Sequence, residues 1–374
     1  MKKIRVLHIS TAHPPQDPRI AFKQCQTLAA QYDLFCALPH ADPTTASGIH
    51  FVRLPFFRRV AWRLIITCPY VLLRCLWLRP RIVHIYMPEL IPLAYIFRLL
   101  GAKVIYEVQE NLYRKIHLKA VNKGYVLDKA FRLFDRLARR HFYFIFTEPA
   151  YLSTYTQLAK AHEVIYNYPL LSFLQPFQTP YNPDRMRPTF FYIGLLSFDR
   201  AVDTLVDSFA KLKITCPKFI VHLFGRRTFA DADLEKLVHF YQVRDHLRFY
   251  GYTDQRIAFS YAAGATAGIA LLKPVGDYPE SYTTKLFEYM ALGLPLIIAD
   301  FPLYRAIVER HQCGLCVSPY DSAQVAKALT YLIEHPDEAR AMGKRGQEAT
   351  RQFYNWTSEA TKLLSFYTTV LGEQ

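Results

Sequence analysis

Two glutamates separated by seven residues, Glu280 and Glu288, bracket a run of hydroxylated and aromatic residues, Ser281, Tyr282, Thr283 and Thr284, with Lys285 next. Hydroxyl side chains ahead of an apolar period mark a helix start, and Gly293 marks its end after about residue 292. Glu280 then belongs to the loop before the helix and Glu288 lies near its second turn. The backbone N–H groups of residues 282–284 point into the space between them, where a diphosphate would bind. Two carboxylates flanking an anion-binding helix terminus suit a nucleotide-sugar. One accepts hydrogen bonds from sugar hydroxyls and the other from ribose hydroxyls. Taken by spacing alone, the pair reads better as a surface glutamate and an amphipathic helix.

That helix sits in a strand–helix rhythm that fills the chain. The first half alternates short apolar strands (4–10, 34–38, 49–54, 81–86, 103–106, 142–146) with helices (20–30, 90–100, 127–140). Residues 166–188 break the pattern, with Pro169, Pro176, Pro180, Pro183 and Pro188 among polar and aromatic residues. The rhythm restarts at 189 and ends in mostly helical sequence from 322. Strands alternating with helices of this length predict parallel sheets covered on both faces. The expected organisation is a first Rossmann-like domain over 1–168, a Pro-rich linker over 169–188, a second such domain over 189–352, and a terminal helix over 353–374 that packs back on the first. Ligands in such folds bind beyond the carboxyl ends of the strands, here in a cleft between the domains.

Composition narrows the function. With 374 residues, 51% hydrophobic and 21% charged, the chain is neither disordered nor fibrous. Seven scattered cysteines fit a reducing cytoplasm, and Cys313 and Cys316 lack the partners of a zinc site. The apolar stretch after Met1-Lys2-Lys3 stops at His8 and Ser10, too short and polar for export. The net charge of +15 is lopsided: residues 1–170 hold 24 Lys and Arg against 10 Asp and Glu, and the remainder 22 against 21. One half should therefore face an anionic partner. No nucleic-acid motif accompanies the charge, so nucleic acid is not the expected partner. Residues 60–78 are long and apolar enough to span a bilayer, but Arg63, Pro69 and Arg74 interrupt them, which makes spanning costly. Two readings stay open: a helix lying in the lipid interface with its arginines snorkelling, and a core helix whose arginines face water.

The E-x7-E pair running into KLFEYMALGLPLIIAD closely resembles the donor-site signature of the retaining GT-B glycosyltransferases of the large family four. Four other places agree. His13 to Lys23 (HPPQDPRIAFK) resembles the H-x3-D-x-R-I-x2-K stretch of a bacterial branch. Val104 to Asn111 resembles a strand ending in D-V-H-E. Tyr192 to Val202 resembles the opening strand and phosphate loop of the second domain, and Asn355-Trp356 the closing segment. The resemblance implies a GT-B fold, two doubly wound domains facing across a cleft. It also implies a metal-independent, retaining transfer of a hexose-type sugar from a nucleotide-sugar, with front-face attack and no protein nucleophile. The acceptor would be a cell-surface glycan or a lipid-linked diphosphate in polysaccharide or lipopolysaccharide synthesis. The enzyme would be cytoplasmic, peripheral on the anionic inner face of the cell membrane.

Carried over by position, the resemblance implies that Glu288 binds the donor ribose and Glu280 the transferred hexose. Arg200 and Lys285 would meet the diphosphate. Gly194, Gly225 and Arg226 fall in loops that approach the nucleotide, and Tyr252 falls near the base. His13 and Glu110 would line the acceptor cleft. Asp17 and Arg19 read either as an ordinary ion pair in a loop or, from their place beyond the first strand, as residues of the same cleft, which is the reading favoured. Two departures stand out: Leu195 replaces a family arginine, and Gln109 replaces the family histidine that contacts the donor sugar, in Glu107-Val108-Gln109-Glu110. Glutamine keeps the hydrogen bonds and loses the charge. Asp231-Ala232-Asp233 imitates the metal motif of GT-A transferases but opens a helix, where acidic residues complement the dipole. A nucleotide-sugar epimerase or hydrolase of the same fold is the enzymatic alternative, and a binding protein without turnover the non-enzymatic one.

Overall fold

The computed structural model describes residues 3–42, 45–115, 125–178 and 186–373. Linker residues 179–185, with Pro180 and Pro183, lie outside them. The chain divides into two compact units, one of residues 1–167 with 356–374 and the other of residues 168–355.

Among the described residues, unit 1 carries an eight-stranded sheet: β1 (Arg5–Ile9), β2 (Asp33–Pro39), β3 (Thr45–Ala46), β4 (Ile49–Leu54), β5 (Ile82–Ile85), β6 (Lys103–Val108), β7 (Tyr143–Phe146) and β8 (His162–Val164). The order is β3-β4-β2-β1-β5-β6-β7-β8. Every pairing is parallel except β3 with β4. β5 and β7 are buried at every residue, which explains why they are apolar throughout except for the hydrogen-bonded His84: a parallel strand covered on both faces has no wet side. The core gathers Leu7, Val83, Phe97 and Tyr106. The terminal helix Trp356–Gly372 belongs to this unit. Its Trp356 indole donates to Thr27 Oγ1 at 3.0 Å.

Unit 2 carries a six-stranded parallel sheet among its described residues: β9 (Thr189–Ile193), β10 (Ile220–Phe224), β11 (Leu247–Gly251), β12 (Ala267–Ala270), β13 (Leu296–Ala299) and β14 (Gly314–Val317), in the order β11-β10-β9-β12-β13-β14. The adjacent order of β9, β10 and β11 places three strand-end loops side by side. Phe190, Phe209, Ile269, Ile297 and Leu329 build the core. The segment 168–178 packs here too: Tyr168 meets the Phe287 ring edge-on, and Gln178 donates to the Ala291 carbonyl at 2.8 Å. Cys313 is buried and Cys316 half-buried, both as free thiols.

Residues 60–78 form one helix. Thr67, Cys68, Val71, Cys75 and Leu78 are buried on one side, whereas Trp62, Ile65, Ile66, Leu73, Leu76 and Trp77 are exposed. It is therefore not a core helix with arginines alone facing water. The expectation that Arg63 reaches outward is also corrected. Its guanidinium donates to Glu89 Oε1 at 3.0 Å and to the Phe57 carbonyl at 2.6 Å, because Glu89 is a buried carboxylate that needs a cation.

Candidate functional site

Three glycines end or follow the adjacent strands of unit 2, each with positive φ: Gly194 (142°), Gly225 (141°) and Gly251 (69°). Their backbones continue the sheet ladder into the loops. Gly194 N–H donates to the Phe224 carbonyl at 2.8 Å and Gly225 N–H to the Gly251 carbonyl at 2.7 Å. The first two turns touch so closely that a methyl group on Gly225 would lie 1.8 Å from the Gly194 carbonyl oxygen. Only a residue without Cβ fits there.

The open side of Gly194 faces two cations. A methyl group there would lie 2.5 Å from Lys285 Cε, 2.6 Å from Lys285 Nζ and 3.1 Å from Arg200 Nη1. Lys285 is buried, with its ammonium 5.4 Å from the centre of the Tyr192 ring. Burial lowers its pKa to about 7, Arg200 adds to the effect, and Glu288 opposes it. The Arg200 Nε is buried without a hydrogen-bond partner among the described residues. Two cations side by side, one of them poorly solvated, make a place that favours an anion.

The helix Thr284–Ala291 carries Lys285 and Glu288. Tyr289, one residue beyond Glu288, fixes it against the sheet: its hydroxyl accepts from Ile193 N–H at 3.1 Å, and its ring packs where a Gly268 side chain would stand. The register of Lys285 on Gly194 therefore follows from a tyrosine that sequence reasoning missed, since an aromatic residue on an apolar helix face reads as core. The helix start differs from expectation. Thr283 takes the cap position with its side chain making no cap bond, and Thr284 is already helical. Ser281 lies outside the cap because its hydroxyl donates to the Asp277 carbonyl at 3.0 Å. Glu280 closes the short turn Tyr278–Glu280 and is half-buried. Tyr304 holds this loop by donating to the Ser281 carbonyl at 2.9 Å, and the Tyr282 ring meets Phe287. Beyond β10 and β11, the exposed guanidinium of Arg226 stacks over the exposed Tyr252 ring at 4.7 Å.

In unit 1 the residues singled out follow β1 and β6. His13 Nδ1 lies 2.7 Å from Ser10 Oγ. Asp17 caps the helical segment Pro18–Cys25, accepting from Arg19 N–H at 3.0 Å and Ile20 N–H at 2.8 Å. Arg19, expected to line a cleft, is only 4% exposed and turns inward. Its Nε donates to Glu107 Oε1 at 2.8 Å and its Nη2 to the Ile165 carbonyl at 2.8 Å. Buried Glu107 outweighs any external partner for this guanidinium. Burial alone would raise the Glu107 carboxyl, but Arg19 and His84 bring it well below the usual carboxylate range. Gln109 Nε2 also donates to Glu107 Oε1, at 2.8 Å. Because a carboxylate only accepts, the Gln109 amide oxygen is directed away from it. Glu110 follows, half-buried.

Among the described residues no group of three or more His, Cys, Asp or Glu side chains is placed to hold a metal. Asp231 instead pairs with Arg227 at 2.9 Å and opens the helix Asp231–Phe240.

Residues 176–349 match the family model of glycosyl transferases group 1. A phosphatidyl-myo-inositol mannosyltransferase of Mycobacterium leprae is 31% identical over 126 residues, 34% of this chain and 32% of that protein. The chain spans less than half the length of the curated relatives it matches. Sucrose-phosphate synthase of Thermosynechococcus elongatus superposes with a TM-score of 0.79 over 98% of this chain and 99% of its own, at 18% identity. Anabaena HepE, solved with UDP-glucose, superposes with a TM-score of 0.74 over 98% and 100%, at 14% identity. Likeness at such identities speaks for the fold, and the fold is GT-B.

Proposed function

The chain is a GT-B-fold relative of the group 1 glycosyl transferases, and we propose that it is a retaining glycosyltransferase taking a hexose-type sugar from a nucleotide-sugar. The observation that carries the reading is the meeting of Lys285 and Arg200 at the Gly194 turn, beyond the carboxyl end of β9. A diphosphate seated there is neutralised by both cations as the bond to the sugar breaks and charge builds on the leaving oxygen. Glu288, one turn along the helix from Lys285, accepts from the ribose, and Glu280 from the sugar. Tyr252, backed by Arg226, offers a face to the base. That HepE was solved with UDP-glucose supports a nucleotide-sugar donor of this kind.

The acceptor belongs to unit 1, where His13, Gln109 and Glu110 follow the strands. A glycan or lipid-linked diphosphate at the anionic, cytoplasmic face of a membrane suits the surplus of 24 basic over 10 acidic residues in 1–170. The test is nucleotide release from UDP-, GDP- and ADP-sugars with and without acceptor. Release that needs acceptor supports transfer, release or epimerisation without acceptor supports the hydrolase or epimerase, and binding without turnover supports the binding protein. Because the charge-stabilising groups named are side chains of this chain, turnover is expected to survive excess EDTA. A loss restored by Mg2+ would overturn that part.

A further inference from the structure

The exposed side of helix 60–78 is a continuous apolar stripe. Leu73 is 81% exposed, Trp77 67%, Ile65 65% and Trp62 48%, with Ile66 and Leu76 between them. The helix winds as a π-turn over Arg63–Thr67, α-helix over Cys68–Cys75 and a 3-10 turn over Leu76–Leu78, and along it Trp62 and Trp77 stand roughly 20 Å apart. Its surroundings carry one sign of charge. Between Asp42 and Glu89 the sequence has no Asp or Glu. Glu89 is itself buried and engaged by Arg63 and Thr11. Arg58, Arg59, Arg74, Arg79 and Arg81 are all exposed.

We propose that this stripe docks unit 1 on an anionic lipid bilayer, the helix lying in the interface plane with a tryptophan near each end. Indole rings favour the headgroup level, and arginines beside them reach lipid phosphates. The helix does not cross the bilayer, since spanning would strip Val71, Cys75 and Leu78 from the unit 1 core. A second copy is a poor occupant because face-to-face pairing sets the arginines against their own kind. A protein partner would need a long acidic rim around an apolar groove, whereas an anionic bilayer supplies both everywhere. The proposal deepens the membrane side of the reading above. Its failure is separable from failure of the transfer reaction, whose donor contacts lie in unit 2.

The protein's own tryptophans report the outcome. Of three, Trp356 is buried, so emission changes on vesicle addition come from Trp62 and Trp77. Phosphatidylglycerol-containing vesicles at low salt should shift emission to the blue and co-sediment the protein, whereas pure phosphatidylcholine should do so weakly. Rising salt should weaken binding without abolishing it. The pair Leu73→Ser and Trp77→Ser, and separately Arg58→Gln with Arg59→Gln and Arg74→Gln, should each lower partitioning at least tenfold. UDP affinity should stay at the wild-type value in both. Wild-type protein that ignores phosphatidylglycerol vesicles at low salt overturns the proposal. So does a dimer or protein complex that Leu73→Ser dissolves while vesicle binding persists.

Discussion

Lys285 is held where its charge is disfavoured, and that has consequences on both sides of binding. Free, it is charged below about 7 and neutral above. A diphosphate favours the charged form, so its arrival raises the pKa and draws in a proton. UDP affinity should be full below pH 7 and fall above it, by up to about tenfold per pH unit, until the bound-state pKa is passed. Calorimetry in buffers of different ionisation heat should register proton uptake near pH 8, and Lys285→Met should abolish the uptake. In the unfolded chain the same group titrates near about 10.4. Between the two values the unfolded state binds more protons, so stability rises with pH across that window and the cost of burying the charge is greatest below 7. Lys285→Met should therefore raise the ligand-free melting temperature at pH 6 while weakening UDP. A variant that loses both would make Lys285 a structural residue. The two glutamates should divide differently. Glu288→Ala should weaken free UDP as well as donor, and Glu280→Ala should mainly lower kcat. Each effect should be roughly ten- to a hundredfold, the worth of hydrogen bonds to a charged group. Full activity in both would remove them from the site.

The elements that carry these side chains meet through glycine turns, and the turns predict different outcomes. A methyl group at Gly225 strikes the Gly194 carbonyl, which is backbone and cannot step aside. Gly225→Ala should destabilise unit 2 by at least about 1–3 kcal/mol, read as a lower urea midpoint. A methyl group at Gly194 strikes the far end of Lys285, which can move. Gly194→Ala shares the backbone strain of a φ of 142° but not the backbone clash, so it should lose less stability than Gly225→Ala and also lose UDP affinity; equal unfolding of both variants would break the argument. The elements themselves were largely legible in the sequence. Unbroken apolar runs such as 143–146 and 267–270 announce strands buried on both faces, and Gly293, with φ 76°, ends its helix where the pattern stops. What escaped has physical reasons. β3 and β8 are two and three residues long, too short for any period. β14 begins at Gly314 against Leu296, a close approach that sequence shows only as a glycine. In the candidate site, spacing alone did not single out Glu280, Glu288 and Lys285; the resemblance named them, and the sheet brings Lys285 to the Gly194 turn. The inward turn of Arg19 was not legible, because its partner Glu107 is 88 residues away and brought near only by the sheet.

At the scale of the molecule the two units differ in how they are closed. Unit 2 is one unbroken stretch, 168–355, with its own core. Unit 1 is completed by the last helix, whose Tyr367 sits fully buried beneath the sheet centre. A chain of hydrogen bonds starts at Glu107, which accepts from Gln24 Nε2 at 2.5 Å. The Gln24 amide oxygen then accepts from the Tyr86 hydroxyl, which can only accept from His8 Nδ1 at 2.6 Å. Burial, and for His8 the neighbouring His84, lowers the pKa of both imidazoles. Neutral His8 is left with Nε2 as acceptor, and Tyr367 donates to it at 3.0 Å while His84 Nδ1 lies 2.7 Å from the same hydroxyl. Tyr367→Phe strands two buried ring nitrogens at once. It should cost about 1–3 kcal/mol for each unsatisfied group, and calorimetry should show the loss in unit 1 alone. Cutting the chain makes the larger test. Residues 168–355 expressed alone should fold cooperatively and bind UDP. Residues 1–167 alone should bind hydrophobic dye and aggregate, because His8, His84 and the apolar bed of the last helix are left open. A stable, cooperatively unfolding 1–167 fragment would show that the terminal helix decorates unit 1 rather than completes it.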